Sequence, residues 1–124
     1  MQNEVATSEQ GQLILELYDR FNAKDIDLVF TKLHENVEWV NEPKGIHVRG
    51  IRDLKTLWLQ QWDAVTIHLT PKRMQQSSDG TLVQVQEILT THTGEQFFDG
   101  LVGHLYRFQD GLIARCDIVD VEQN

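Results

Sequence analysis

The sequence has little of several things that would decide a function early. One cysteine in 124 residues leaves no internal disulfide, and Cys116 has no second thiol with which to build a metal-binding cluster. Only two prolines and eight glycines interrupt the chain, too few for a disordered or repetitive segment. Basic charge is scarce: eleven Lys and Arg stand against nineteen Asp and Glu, for a net charge of −8. A surface of that sign repels phosphate backbones, and the strongest basic cluster, Lys72-Arg73, is two residues long, so nucleic acid is excluded as an expected partner. No apolar run reaches the eighteen or so residues of a membrane helix, and the N-terminus lacks the basic and apolar regions of a secretory signal. A cytoplasmic setting is expected. His34, His47, His68, His92 and His104 have no zinc-ligand spacing, and phosphate loops, nucleophile elbows and dinucleotide-binding turns are missing. The expectation is no metal and no organic cofactor.

What is present reads as one domain over residues 1–124, with an ordered core from about 8 to 121 and fraying expected over the polar residues 1–7. Thr7-Ser8-Glu9-Gln10 has the form of a capping box, and Leu13, Ile14, Leu17, Tyr18 and Phe21 follow at helical spacing. Asn22 and Asp25 stop this helix and open a second, with the stripe Ile26, Val29, Phe30 and Leu33. Val37–Asn41 reads as a short strand ended near Pro43; Gly45 and Gly50 bracket a loop. Ile51, Leu54, Trp58 and Trp62 define a third helix. Thereafter the pattern alternates, predicting strands near Val65–Thr70, Arg73–Gln76, Thr81–His92, Gln96–Phe108 and Leu112–Val121, joined by turns at Ser78-Asp79-Gly80, Thr93-Gly94 and Asp110-Gly111. The fold class is α+β: three N-terminal helices packed on a strongly curved, mainly antiparallel sheet, a cone with a cavity inside.

Four stretches carry a family resemblance: Leu17-Tyr18-Asp19-Arg20-Phe21-Asn22, Val37-Glu38-Trp39, Val48-Arg49-Gly50-Ile51, and His104-Leu105-Tyr106-Arg107-Phe108-Gln109-Asp110-Gly111-Leu112-Ile113 with Asp117-Ile118-Val119-Asp120. In their order and spacing, from about Ser8 to Val121, the chain resembles the nuclear transport factor 2-like superfamily. Its SnoaL-like branch, which includes polyketide cyclases and sits near ketosteroid isomerases and limonene-epoxide hydrolases, is the nearest in pattern. That scaffold hosts enzymes and non-enzymes alike, so the resemblance implies a fold and a pocket more than a reaction.

The last hairpin supplies the sharpest inference. A two-residue turn at Asp110-Gly111 pairs Gln109 with Leu112 and, counting back, sets His104 across from Asp117 and Tyr106 across from Arg115. The His104 and Asp117 Cβ atoms would then lie about 4.5–5.5 Å apart on one face. A three-residue bulged turn would slip the register by one and send the two side chains to opposite faces. Paired in an apolar cleft, a carboxylate and an imidazole make an acid–base device. The resemblance adds that cyclases place an acid/base Asp on the final strand near a strand His, positions that Asp117 and His104 match, although the run from Gly111 is one residue shorter than the family spacing. The bland alternative is a polar face in water or at a subunit interface.

Trp39 and Asn41 project from one strand face, and Trp39-Val40-Asn41-Glu42-Pro43 resembles an aromatic-x-Asn-x-Pro segment of the epoxide hydrolases. Those enzymes also need an Arg-x-Asp pair, where this chain has Gln84-Val85-Gln86, so epoxide hydrolysis is disfavoured. Gln84 and Gln86 share a face opposite Val83 and Val85, so they orient a ligand if inward and are solvated if outward; Glu87 lies on the valine face, as a buried carboxylate or at the strand's exit to solvent. Tyr18 resembles a hydroxyl donor of the isomerases by position alone. Trp58, Trp62, Phe97 and Phe98 are candidate cavity walls, and Cys116 is expected to be buried and inert.

Three functions follow. One is a cofactor-independent cyclase or isomerase acting on a small hydrophobic carbonyl compound, with Asp117 and His104 catalytic and Tyr18, Trp39, Asn41, Trp58, Trp62, Gln84, Gln86 and Tyr106 contacting the ligand. The second is a non-catalytic binder on the same scaffold, and the third a dimerisation module. A homodimer through the sheet is expected under all three.

Overall fold

The computed structural model describes residues 8–123. Helix α1 spans Glu9–Asn22 and is capped by Ser8, whose side chain accepts from the Gly11 N–H at 3.0 Å. The cap is thus one residue later than the expected box. Its Thr7, like the expected fraying over residues 1–7, lies outside the described residues. Ile14, Leu17, Tyr18 and Phe21 form its buried stripe. Helix α2, Ile26–Phe30, is capped by Asp25 and ends earlier than its apolar spacing predicts, because Leu33 belongs to strand β1, Leu33–Asn41. A 3₁₀ turn at Glu42–Lys44 leads to β2, Ile46–Arg49, where a loop was expected. Four residues with only Ile46 and Val48 alternating are too short a signal to stand out. Helix α3, Ile51–Ala64, buries Leu54, Trp58 and Trp62.

Strand β3, Thr66–Ser77, runs through Pro71 rather than breaking there. Its ladder with β4, Gly80–Thr90, shifts between Pro71 and Arg73. Because β3 is an edge strand, the missing proline N–H costs no ladder bond that a neighbour needs. Strands β5, Gln96–Gln109, and β6, Leu112–Val119, complete a six-stranded sheet of order β2-β1-β6-β5-β4-β3. All neighbours are antiparallel except β1 and β6, so the sheet is mixed. Register shifts in β3–β4, β4–β5 and β5–β6 bend it, as inserted residues do.

The helices close over one face, where Ile14, Leu17, Phe21, Leu54 and Trp58 meet Leu69, Val85 and Ile113 in a single core. Asn22 fastens α1 to the sheet edge: its Nδ2 donates to the Leu69 carbonyl at 2.7 Å and its Oδ1 accepts from the Leu69 N–H at 2.9 Å. This amide completes backbone groups on β3 that no further strand reaches. Among the described residues, no helix is long and apolar enough to cross a membrane.

Candidate functional site

Alternation along the sheet decides which side chains face the helices. The inward set includes Leu69, Val83, Val85, Glu87, Val102, His104, Tyr106, Cys116, Ile118, Trp39 and Asn41, all in register with one another. Between this face and α1 and α3 lies a cavity of about 420 Å³, within the range of small-molecule sites. Leu17, Phe21, Trp58, Leu69, Val102 and Ile118 make its wall mainly apolar, and Pro43, Lys44, Ala64, Phe98 and Asp120 stand at its exposed end. Trp58 anchors the wall, with Trp39 and Phe21 edge-on at 5.0 and 5.4 Å and Phe30 stacked at 5.5 Å.

Three polar side chains meet at the deep end. Tyr106 and His104 are two apart on β5 and therefore share its inner face; Tyr18 descends from the α1 stripe above them. The Tyr106 hydroxyl donates to the Tyr18 hydroxyl at 2.7 Å, which lies 2.8 Å from His104 Nδ1. Nδ1 is also 3.3 Å from Tyr106 Oη. The Tyr106 proton goes to Tyr18, and the Tyr18 proton needs an acceptor, which Nδ1 supplies. The proton of the neutral imidazole then sits on Nε2. Nε2 makes no hydrogen bond to the described residues, and it is not sealed in, since Trp62 Nε1 is the one fully buried side-chain polar atom among them without a partner. An N–H donor therefore opens onto the cavity at its deep end, where the wall is mainly apolar.

Burial keeps this group neutral. Desolvation lowers the His104 pKa to about 4, and it raises both Tyr18 and Tyr106 well above the usual phenol value. Cys116, paired across the ladder with Tyr106, is fully buried, and the same desolvation holds its thiol protonated. The deep end is thus dipolar and uncharged at neutral pH. Among the described residues no three His, Cys, Asp or Glu side chains converge where a metal ion could bind.

The expected pairing of His104 with Asp117 is corrected by the hairpin. Asp110 and Gly111 both have positive φ, 55° and 78°, as a two-residue turn requires, and Gln109 pairs with Leu112 as counted. After Phe108–Ile113, however, Arg107 pairs with Arg115, leaving Ala114 as a bulge. Every later partner is shifted by one: His104 faces Ile118, Tyr106 faces Cys116, and Asp117 falls beside Leu105 on the outer face. There both Asp117 oxygens are taken by Arg115, Nε to Oδ2 at 2.9 Å and Nη2 to Oδ1 at 3.0 Å. The chain of charges continues through Glu38 to His47, with His47 Nε2 2.9 Å from Glu38 Oε2. The hydrogen bond from His47 is the main reason Glu38 has a lowered pKa.

Gln84 and Gln86 also lie on the outer face, where Gln86 donates to Asp99 at 2.9 Å. Trp62 packs edge-on against Phe21 at 5.2 Å and does not line the cavity. Tyr18, Trp39, Asn41, Trp58, His104 and Tyr106 all line it. Phe98 stands at the mouth, and Phe97 is exposed away from it. Two further cavity residues were not singled out: Lys44 carries no sequence signal, and Asp120 closes the last stretch of the family resemblance, whereas Glu87 is marked by its phase with Val83 and Val85.

Comparison with known proteins supports this architecture. Among curated proteins no significant sequence match is found. Of solved structures, an NTF2-like protein of unknown function from Burkholderia pseudomallei superposes with a TM-score of 0.78 at 19% identity, covering 90% of each chain. TerC co-crystallised with polyporic acid gives 0.79 at 21% identity over 92% of each chain. A putative polyketide cyclase from Sinorhizobium meliloti gives 0.73 at 18% identity over 86% of this chain and 93% of the other. At these identities the likeness is one of fold. The profile of the SnoaL-like domain matches residues 14–116, most of the chain and nearly all of the cavity wall, and the protein therefore belongs to the SnoaL-like domain family.

Proposed function

We propose that this protein binds one compact hydrophobic molecule in its cavity and holds a carbonyl oxygen of that molecule on His104 Nε2–H. The observation that carries this reading is the Tyr106–Tyr18–His104 relay, which leaves the imidazole neutral with its free N–H at the end of an apolar chamber. Nε2–H has no protein partner where it meets the cavity, and a ligand acceptor supplies one.

The same donor would stabilise negative charge developing on a bound oxygen, so cofactor-independent proton transfer of the cyclase or isomerase type is the second reading. It needs a base beside the bound carbonyl. Asp117, the residue expected in that role, is on the opposite face and fully engaged with Arg115. Binding is therefore the better-supported function.

Titration with 4-phenylcyclohexanone, followed through the tryptophan fluorescence to which Trp39 and Trp58 contribute, tests the reading. The ketone should bind roughly tenfold more tightly than phenylcyclohexane, the same skeleton without the carbonyl, and His104→Phe should reverse that preference, because the better-hydrated ketone then has no partner. Equal affinity for both compounds, or binding of neither, overturns the proposal. Proton NMR in D2O tests the second reading: exchange of the ketone's α-protons no faster than in buffer leaves a binder, and accelerated exchange makes it an enzyme.

A further inference from the structure

The cavity has a second polar wall, well separated from the first. On β4 the residue opposite His104 is Val83, whereas Glu87 stands four residues further along the same inward face, opposite Gly100. At a rise of about 3.3 Å per residue, the two sites lie roughly 13 Å apart along the sheet. Everything facing inward between them is apolar: Val85 on β4 and Val102 on β5. The Glu87 carboxylate is half-buried and lines the cavity, yet it forms no hydrogen bond or ion pair with the described residues. Burial raises its pKa, opposed by the charge of Lys44 on the 3₁₀ turn across the opening.

Taking the carbonyl-holding cavity of the previous section as given, we infer that Glu87 is a second recognition point, and that the occupant is a rigid hydroxy-ketone with its two oxygens at opposite ends of an apolar body. A carboxylate without hydrogen-bond partners in a cavity wall is an acceptor in search of a donor. A ligand hydroxyl supplies that donor without a charge. A ligand ammonium would meet Lys44 at the same end of the cavity, so the neutral group is the better match. With hydrogen bonds of about 2.9 Å at each end, the span leaves roughly 7 Å between the ligand oxygens where both bonds lie along it, and about 10 Å where they are inclined to it.

The test compares 4-(4-hydroxyphenyl)cyclohexanone with 4-phenylcyclohexanone by calorimetry on the intact protein. The added hydroxyl makes the first compound better hydrated and, in a purely apolar chamber, the weaker ligand. With Glu87 as its acceptor it should instead bind about tenfold more tightly. Glu87→Leu should reverse that preference, and the isosteric Glu87→Gln, which adds no volume to the wall, should cut it severalfold. Equal affinities in the wild-type protein, or an advantage of the hydroxyl that survives both substitutions, overturn the assignment of Glu87 while leaving the carbonyl-binding reading intact. Binding of neither compound instead removes the reading on which this one rests.

Discussion

His104 concentrates what single residues contribute here. Its folded-state pKa of about 4 lies below the ordinary value of 6.5, so an unfolded chain takes up a proton at a pH where the folded chain does not. Stability attributable to this residue is therefore full above pH 6.5 and is lost as pH falls toward 4. Between pH 7 and 4.5 the loss should be roughly 2–3 kcal/mol. Urea denaturation at both pH values checks it: the wild-type protein should lose that much more than His104→Phe, and an equal loss in the two would show that His104 titrates normally in the fold. At this scale the sequence was partly legible. Periodicity put Tyr18 on an inner stripe and Trp39 with Asn41 on one face, and the structure agrees. That Tyr18 and His104, 86 positions apart, share a hydrogen bond was beyond it, because local spacing carries no information about which helix residue descends on which strand.

Secondary-structure elements show where reading by pattern succeeds and where it fails. Helix α3 and the three turns were set by residues with strong local preferences, Gly111 above all. The face of β6 was not, since a bulge changes the count of residues without changing their kind, and Ala114 is as acceptable inside a regular ladder as outside one. The same limit applied at Pro71, where an apparent break in the alternation is an irregularity within one strand. Side chains that substitute for missing backbone partners are equally hard to foresee. Asn22 reads as a helix stop, but its amide makes two hydrogen bonds to Leu69 of the edge strand. Asn22→Ala should destabilise the fold by about 1–3 kcal/mol, measured by thermal or chemical denaturation. A change within a few tenths of a kcal/mol would mean that water replaces the amide without loss.

For the whole molecule, the order of elements was enough to reach three helices over a curved, mainly antiparallel sheet, whereas the parallel β1–β6 pair that makes the sheet mixed, and its short strand β2, were beyond the pattern. The uncovered side of that sheet carries Leu82, Leu101, Leu105 and Val119, none fully buried, alongside the Arg115–Asp117–Glu38 charges. Pairing of two copies across this face is the association we propose, and light scattering should return twice the mass of one chain. Leu105→Glu should then shift the species toward the monomer; a wild-type protein already monomeric at micromolar concentration would refute it.

The uncharged relay at the base of the chamber also decides which molecules it turns away. An ionised acid entering it would surrender its hydration shell for a single imidazole dipole, a poor exchange in so dry a setting. The chain as a whole carries a net charge of −8, which discourages the same molecules before they arrive. Fatty acids and other anionic amphiphiles are therefore disfavoured guests despite their oily tails.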